Sequence, residues 1–289
     1  MNTNLSAIIR ACSSPLSPIP TGMGSVLPPE RPSPPIQAVL FDVYGTLFLS
    51  ASGDIGQSEP SVPLGLGDLC ARFGISDSPE LVTDRFREEI IRIHRQKKMV
   101  DEEEAGEETQ PEVRVEEIWA ALYHFENMES AREFAVRYEC LTNPVYPMPE
   151  LSSVLERLAM KGLTMGIISN AQFFTPLLFE AFLEKPLPEL GFDEELCIFS
   201  YVEGEAKPAP KLFQIARDRL LRRGIDPQSV LYAGNDMRND VLCAQEAGFR
   251  TVLFAGDRRS LRLRTEDEHV QGVRPDWICT SLKEILSIC

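Results

Sequence analysis

Several polar residues in this sequence each follow a short apolar run, at the point where a buried strand would end. In chain order they are Asp42, Ser169, Asn170, Asn235, Asp236 and Asp240. A carboxylate in such a place is partly desolvated and can act as a nucleophile or as a metal ligand. From the residues alone, Asp42 is equally well interpreted as a turn residue. For the Asp236–Asp240 pair, the less favoured alternative is a helix N-cap cluster.

Alternating strands and helices position these residues. The apolar pattern predicts a first strand beginning at Ala38, and further strands at Leu163–Ser169, Cys197–Tyr201, Val230–Ala233, Thr251–Phe254 and Trp277–Cys279. Helical patterns lie between them, so right-handed crossovers should produce a parallel sheet. In such sheets ligands bind beyond the carboxyl ends of the strands. We therefore predict an α/β fold with a Rossmann-like parallel sheet.

The composition changes along the chain and divides it into three parts. Residues 1–36 are rich in Ser and Pro, which predicts a disordered tail. Residues 54–145 show helical spacing without strand signals, and Ser78-Pro79-Glu80 is typical of a helix start. The prediction is a core of residues 37–53 and 146–289, with a helical cap of residues 54–145 inserted after the first core strand.

The overall charge limits the classes of partner. The net charge is -15 and the isoelectric point about 4.8, which argues against nucleic acid and against an anionic membrane surface. No apolar run approaches the roughly 18 residues of a membrane span. Seven cysteines without C-x-x-C spacing favour a reducing, cytoplasmic compartment. An anionic substrate would need a locally basic site.

Four runs of residues together resemble the motifs of the haloacid dehalogenase superfamily of hydrolases. They are Asp42–Leu47, Ile167–Asn170, Gly204–Phe213 and Gly234–Asp240, and they stand in the family's order. The first run reads D-V-Y-G-T-L, whereas the family usually has D-x-D-G-T-L. The third fits the pattern G-x-x-K-P-x-P-x-x-F in full. The resemblance covers roughly residues 38 to 260.

The resemblance implies a covalent mechanism. Asp42 would attack the substrate and form an aspartyl intermediate, which water then hydrolyses. Ser169 and Lys207 would stabilise the anionic group, while Thr46 and Asn170 would bind or orient the substrate. An ammonium group near a carboxylate keeps that carboxylate ionised, which is a role that suits Lys207. The cap would close over the site and select the substrate.

The resemblance also implies a metal ion. Mg²⁺ prefers hard carboxylate oxygens together with substrate phosphate oxygens. Asp42, Asp236 and Asp240 could supply the carboxylates, with Asn235 orienting them or a water. The backbone carbonyl at the position of Tyr44 serves as a ligand in the family, and a Tyr does not remove it. Mg²⁺ is therefore the predicted cofactor.

Tyr44 is the main departure from the family pattern, because it replaces an Asp that protonates the leaving group in the phosphatases. General acid–base help of that kind contributes ~10²–10⁴-fold to the rate. A tyrosine with an ordinary pKa of about 10 is a poor substitute near neutral pH. The enzyme is then a slow phosphatase, or another group supplies the proton, or the leaving group needs no proton.

Three functions remain open on this sequence. We rank first a Mg²⁺-dependent phosphatase acting on a small phosphorylated metabolite, because Asp236 beside Asp240 is costly unless a cation neutralises the pair. The second is a metal-free 2-haloacid dehalogenase, since that subgroup carries D-x-Y-G-T followed by Ser-Asn and uses a cap arginine, for which Arg95 is the candidate. The third is a catalytically weak, anion-binding member of the family.

Overall fold

The computed structural model describes residues 4–52, 62–104 and 110–289. The strands in chain order are β1 (Ala38–Phe41), β2 (Phe48–Ser50), β3 (Val145–Pro147), β4 (Thr164–Ser169), β5 (Phe192–Phe199), β6 (Val230–Gly234), β7 (Arg250–Phe254) and β8 (Trp277–Cys279). Six of them form one parallel sheet in the order β5-β4-β1-β6-β7-β8. β2 and β3 pair antiparallel as a separate ribbon.

The sheet has an apolar layer on each face, as parallel sheets require. All four residues of β1 are buried. Val39 and Phe41 belong to the hydrophobic cluster on one face, and Ala38 and Leu40 belong to the cluster on the other. The predicted α/β fold is confirmed. β5 differs from its prediction, because it begins at Phe192 and ends where a helix starts at Ser200.

Helices cover both faces of the sheet and form the inserted region. They are α1 (Leu5–Cys12), α2 (Leu66–Arg72), α3 (Pro79–Glu104), α4 (Val115–Leu122), α5 (Met128–Thr142), α6 (Leu151–Met160), α7 (Thr175–Leu183), α8 (Ser200–Glu203), α9 (Lys211–Arg222), α10 (Cys243–Glu246) and α11 (Leu282–Ile288). A π-helical turn, Met237–Leu242, leads into α10. Among the helices that the structure describes, none combines the length and the apolar character that crossing a membrane requires.

Helices α2–α5, which we call the cap, lie between β2 and β3 and have their own core. The Trp119 ring stacks on Phe86 with centroids 4.2 Å apart, and it contacts Phe134 and Tyr138 at 4.8 Å. These helices fall within the range predicted for the cap, and the division of the chain into core and cap stays a prediction. The boundary predicted at residues 53–54 lies outside the described residues, and the boundary at 145–146 falls within β3.

A second connection joins the cap to the core close to Lys207. The Glu112 N–H donates to the Gly204 carbonyl at 3.0 Å, and the Ala206 N–H donates to the Gln110 carbonyl at 2.7 Å. The Ser200 hydroxyl donates to the Glu112 carboxylate at 2.6 Å. The cap thus holds the core segment that leads directly into Lys207.

The described residues 4–36 contain a helix and pack against the rest of the molecule, whereas the sequence predicted a disordered tail. Asn4 caps α1 by accepting a hydrogen bond from the Ala7 N–H. Ile9 is 2% exposed, and α1 packs against both α5 of the cap and α7 of the core. Arg10 forms an ion pair with Glu184 at 2.5 Å. Composition alone misses this helix, because its few apolar residues become buried only against other elements.

The Pro-rich part that follows α1 is held by core side chains and backbone groups. The buried Asp257 carboxylate accepts from the Ile19 N–H at 2.9 Å, and the Arg258 N–H donates to the Ile19 carbonyl at 2.9 Å. Val26 and Ile278 exchange two backbone hydrogen bonds. Proline prevents internal hydrogen bonding in such a segment but leaves its remaining groups available to the core.

Candidate active site

Asp42 lies at the carboxyl end of β1, in the middle of the sheet, and is 7% exposed. Its backbone N–H donates to the Ala233 carbonyl on β6 at 2.9 Å. The chain then turns through Gly45, whose φ is +82°. A Cβ added at Gly45 would stand 2.4 Å from the Cβ of Ser260, so the turn requires glycine.

Lys207 reaches Asp42 from the segment before α9. Its Nζ atom lies 2.9 Å from Asp42 Oδ1 and 2.6 Å from Asp240 Oδ1. The Tyr232 hydroxyl, at 3.1 Å, and the Ile168 carbonyl, at 3.3 Å, complete its surroundings. We call Asp42, Lys207, Tyr232 and Asp240 the Lys207 centre. The structure therefore brings three of the predicted site residues into direct contact.

Charge is balanced inside the Lys207 centre. Burial by itself would lower the pKa of Lys207, but the carboxylates of Asp240 and Asp42 outweigh burial and raise it above its ordinary value. Burial raises the pKa of Asp240, and Lys207 opposes that rise. Lys207 is therefore a fixed cation that holds the Asp42 carboxylate in place.

Tyr232 belongs to this centre although the sequence analysis did not identify it. Its hydroxyl lies 2.8 Å from the Ile168 carbonyl and 3.0 Å from Asp240 Oδ1. The strand that carries it is apolar, Val230–Gly234, so an aromatic residue there is interpreted as core. The available signal was the tyrosine hydroxyl itself, because a buried tyrosine usually needs a hydrogen-bond partner for that group.

Asn235 and Thr46 tie the first motif to the fourth. The Thr46 hydroxyl donates to Asn235 Oδ1 at 3.1 Å, and Asn235 Nδ2 donates to the Ser260 carbonyl at 2.6 Å. Both side chains are buried. The roles predicted for them toward substrate or water stay predictions, and in the structure they join the two motifs.

Asp236 points away from the Lys207 centre. Its carboxylate accepts from the N–H groups of Arg238 and Asn239 at 2.8 and 3.2 Å, which makes it the N-cap of the π-helical turn. It also forms an ion pair with Arg264 at 2.6 Å. Its backbone N–H donates to Asp240 Oδ2 at 2.9 Å. Asp236 therefore acts as a helix N-cap in the structure, which was one of the two interpretations of this residue.

These contacts decide how well the predicted Mg²⁺ ligands fit a metal ion. A cation needs several oxygens directed at one point. Asp42 and Asp240 direct one oxygen each at Lys207, whereas Asp236 directs its carboxylate at Arg264. Among the described residues, no group of three or more His, Cys, Asp or Glu side chains is arranged to hold a metal. The three carboxylates do not fit a Mg²⁺ site as they stand, and their role as ligands stays a prediction.

Ser169 is the last residue of β4 and Asn170 follows it, as predicted, and both side chains bond to the backbone. Asn170 accepts from the Lys207 N–H at 2.7 Å and donates to the Lys207 carbonyl at 3.1 Å. The Ser169 hydroxyl donates to the Asn170 carbonyl at 3.2 Å. Asn170 thus fixes the backbone of Lys207, and contact of either side chain with a substrate remains a prediction.

Tyr44 lies beside a small cavity of about 10 Å³, which is near the lower limit for one water molecule. We call it the Tyr44 cavity; its lining residues are Ile9, Tyr44, Val136, Glu139, Cys140, Asn143, Val145, Phe174 and Leu178. The Tyr44 and Thr175 hydroxyls are 2.9 Å apart. Burial raises the pKa of Tyr44 well above its ordinary value, and the Glu139 carboxylate adds to the rise. Tyr44 is therefore a neutral phenol that cannot serve as a base near neutral pH.

Glu139 supplies a carboxyl group to the lining of the Tyr44 cavity. Burial raises the pKa of Glu139 to about 7, while a hydrogen bond from Asn143 opposes the rise. The Asn143 amide donates to Glu139 Oε1 at 3.2 Å. Asn143 in turn accepts from the Ser50 hydroxyl at 2.7 Å. Neutral partners thus surround this carboxyl group in the described structure.

The predicted cap arginine, Arg95, lies exposed on α3, and within the described contacts none joins it to the strand-end residues. Arg132 on α5 does reach the core. Its guanidinium carbon lies 5.4 Å from the centroid of the Phe173 ring, three residues after Asn170. It also pairs with the buried Glu116 at 3.8 Å. Sequence spacing gave no signal for Arg132, because its neighbours belong to another part of the chain.

The family of the chain follows from comparison with known proteins. The family model of haloacid dehalogenase-like hydrolases matches residues 36–248. This range contains the cap and most of the sheet, together with all four motifs. The chain therefore belongs to the haloacid dehalogenase-like hydrolases.

Individual relatives include both phosphatases and dehalogenases. The chain is 29% identical over 127 residues to an N-acetylmuramic acid 6-phosphate phosphatase of Pseudomonas aeruginosa; the match covers 42% of this chain and 50% of the relative. The chain thus spans about half the length of this curated relative. A 2-haloacid dehalogenase from Pseudomonas syringae pv. Tomato is 19% identical, with a TM-score of 0.56 and coverage of 88% and 97% of the two chains. A HAD phosphatase from Thermococcus onnurineus is 20% identical, with a TM-score of 0.52 and the same coverage. At these identities the solved structures share the fold.

Proposed function

We propose that the chain hydrolyses a small phosphorylated molecule and that Asp42 is its nucleophile. The observation that carries the proposal is the ion pair between Asp42 Oδ1 and the buried Lys207. No described residue donates a hydrogen bond to the other oxygen, Oδ2, which is therefore available to attack. The choice of a phosphorylated substrate is supported by the similarity to the phosphatase of Pseudomonas aeruginosa.

The reaction then takes two steps. Oδ2 of Asp42 attacks phosphorus, and the bond from phosphorus to the leaving oxygen breaks, with the electron pair going to that oxygen. Water next attacks the aspartyl phosphate, the bond between phosphorus and the Asp42 oxygen breaks, and inorganic phosphate leaves. Lys207 holds the Asp42 carboxylate in place and offsets the negative charge in both transition states.

Tyr44 restricts the leaving group. A neutral phenol whose pKa is raised by burial gives up its proton poorly, and its hydroxyl is already bonded to that of Thr175. A leaving oxygen of low basicity needs no proton. We therefore infer that the best substrates are aryl or acyl phosphates, and that the rate falls steeply as the leaving-group pKa rises.

The predicted dependence on Mg²⁺ receives the least support from the geometry. Asp236 would have to leave Arg264 before the predicted set of three carboxylates could form. The ion pairs with Lys207 and Arg264 also supply the cations that the neighbouring acids need. The steps above therefore use residues of the chain alone, and the effect of Mg²⁺ is left to measurement.

A metal-free dehalogenase is the second candidate, and the same observations favour it. A halide leaves without a proton, so Tyr44 would be no handicap. Oδ2 of Asp42 would attack carbon, the bond from carbon to halogen would break with release of halide, and water would hydrolyse the ester. Arg132 is then a better candidate than Arg95 for the substrate carboxylate, because it reaches the core.

One panel of assays separates these functions. We would measure phosphate release from para-nitrophenyl phosphate, acetyl phosphate and a sugar phosphate, with Mg²⁺ or with EDTA, and chloride release from 2-chloropropionate. Asp42→Asn serves as the blank. Asp226→Asn is the matched control, because Asp226 is exposed and caps a turn after α9.

We expect phosphate release from para-nitrophenyl phosphate and acetyl phosphate to fall at least about 10³-fold in Asp42→Asn, as for other substitutions of a nucleophile, and to persist in Asp226→Asn. Chloride release that Asp42→Asn abolishes would replace the phosphatase by the dehalogenase. Equal activity in wild type and Asp42→Asn would exclude both. If wild type turns over none of these substrates but binds inorganic phosphate, it is the weak, anion-binding member of the family.

A further inference from the structure

We propose that Tyr232 is a positioning residue for Lys207, and that its hydroxyl directs one ammonium proton of Lys207 at Asp42. The proposal rests on the proposed function, because it assumes that Asp42 is the nucleophile. Tyr232 does not touch the reacting atoms in this arrangement. It acts through Lys207.

The geometry at Nζ carries the proposal. An ammonium group has three N–H donors. Four oxygen atoms lie within hydrogen-bond distance of Lys207 Nζ: Asp240 Oδ1 at 2.6 Å, Asp42 Oδ1 at 2.9 Å, the Tyr232 hydroxyl at 3.1 Å and the Ile168 carbonyl at 3.3 Å. One acceptor is therefore in excess, and a selection among them must occur.

The Tyr232 hydroxyl makes that selection. Its single proton has two acceptors within reach, the Ile168 carbonyl at 2.8 Å and Asp240 Oδ1 at 3.0 Å. In the proposed arrangement the proton goes to the nearer Ile168 carbonyl, which satisfies that carbonyl without Lys207. The hydroxyl oxygen then accepts from Lys207. The three ammonium protons are left with Asp240, Asp42 and Tyr232 as acceptors, so one of them points at Asp42.

Three features hold the hydroxyl in this place. Tyr232 is 1% exposed, and the Phe213 ring packs edge-on against it with centroids 4.9 Å apart. Burial and the nearby carboxylates raise the pKa of Tyr232 well above its ordinary value, so the hydroxyl keeps its proton. Its position on β6 is set by the strand pairing of Tyr232 with Leu40 of β1.

Removal of the hydroxyl should therefore redirect Lys207. In Tyr232→Phe the Ile168 carbonyl becomes the third acceptor, and the ammonium group turns toward it. Asp42 then loses part of its alignment in the transition state, while the anion-binding charge of Lys207 remains. A fault in positioning lowers kcat, whereas a loss of uniform binding would raise KM.

The kinetic experiment compares Tyr232→Phe with Tyr138→Phe, using para-nitrophenyl phosphate as the substrate. Tyr138 is a buried tyrosine of the cap core, 7% exposed, and gives the same chemical change at a distance from Lys207. We expect kcat to fall about 10-fold in Tyr232→Phe with KM changed less than about twofold. Tyr138→Phe should retain both values. An unchanged kcat, or a change confined to KM, would overturn the proposal.

A second readout does not depend on turnover. In protein labelled with ¹⁵N-lysine, a buried and hydrogen-bonded ammonium group exchanges slowly enough to give its own NMR signal, which a Lys207→Arg variant assigns. We expect that signal to shift or broaden in Tyr232→Phe and to stay in place in Tyr138→Phe. A Lys207 signal in Tyr232→Phe that is unchanged from wild type would overturn the role of Tyr232. If wild type releases no phosphate, the proposed function fails, and this spectrum still decides whether the hydroxyl holds Lys207.

Discussion

The Lys207 centre and the Tyr44 cavity both adjoin the turn after β1, but they treat buried polar groups in opposite ways. In the Lys207 centre a cation lies between two carboxylates, and the Tyr232 hydroxyl lies within hydrogen-bond distance of the cation and of Asp240. In the Tyr44 cavity the Glu139 carboxyl group accepts a hydrogen bond from the Asn143 amide, and the Tyr44 hydroxyl bonds to the Thr175 hydroxyl.

The difference shows what burial does with and without an opposite charge. Burial alone disfavours the charged form of a group, so it raises the pKa of Glu139 to about 7. The same burial acts on Lys207, yet two carboxylates keep that residue charged. A fixed charge suits the binding of an anion and the alignment of a nucleophile. A carboxyl group that titrates near neutral pH makes the cavity sensitive to pH instead.

Lys207→Met should have the largest effect on this comparison. It leaves Asp42 and Asp240 close together without the cation between them, and loss of one partner of a buried ion pair costs about 3–5 kcal/mol. We expect the free energy of unfolding, measured with urea, to fall by that amount and activity to be lost. Lys211→Met is the control. Lys211 is the first residue of α9, and its ammonium group donates to the backbone carbonyl of Glu203 and not to a carboxylate. Equal losses in the two variants would show that the Lys207 centre is not charge-balanced.

Glu139→Gln should have the next largest effect and should depend on pH. The folded-state pKa of Glu139, about 7, lies above the ordinary value of 4.5, so folding favours the protonated form. This stabilisation is complete below about pH 4.5 and is lost as the pH rises through 7. We expect wild type to lose about 1–3 kcal/mol relative to Glu139→Gln between pH 5 and pH 8, measured by urea unfolding at each pH. Parallel pH profiles would contradict the comparison.

Asp236→Ala should have a smaller effect, because this carboxylate pairs with a partly exposed cation. The variant removes an N-cap and the ion pair with Arg264. We expect the free energy of unfolding to fall by about 1–2 kcal/mol, which is typical of a lost N-cap. Asp236→Asn keeps a capping side chain and should lose about half as much. A loss as large as that of Lys207→Met would place Asp236 in the charge network of the Lys207 centre.

Tyr44→Phe should have the smallest effect. It removes a hydroxyl whose partner is Thr175, and Thr175 also accepts from the Gln172 N–H at 3.1 Å. We expect about 1 kcal/mol or less in the free energy of unfolding and a rate toward para-nitrophenyl phosphate within about threefold of wild type. A loss of about 100-fold in kcat would show that the Tyr44 hydroxyl takes part in proton transfer.

The sequence predicts those parts of the molecule that local pattern determines. Apolar runs placed the six parallel strands, and the residues after them met at one edge of the sheet. Asp42 and Lys207, 165 positions apart, were predicted to be neighbours and lie 2.9 Å apart. Motifs at the carboxyl ends of parallel strands are predicted to be close in space even when they are far apart in sequence, because these ends meet at one edge of the sheet.

Partners from unrelated stretches of the chain could not be predicted in this way. Arg264 meets Asp236 from a loop without a regular pattern, and Tyr232 was hidden in an apolar strand. Residues 1–36 were predicted to be a disordered tail because they are rich in Ser and Pro. The order of residues 4–36 comes from contacts with α5, α7 and Asp257, which no property of the segment itself reveals.

Helix α1 adds a contact between the cap and the core, and this contact restricts how the cap can move. If the ribbon of β2 and β3 were its sole connection to the core, the cap could rotate about that ribbon as a hinge. α1 packs against α5 on one side and α7 on the other, and residues 110–113 grip the core at a third place. Because the cap contacts the core at three separate places, a rigid-body rotation of the cap requires α1 to separate from α5 or from α7. The packing of the eight residues of α1 therefore restricts movement of the cap relative to the core.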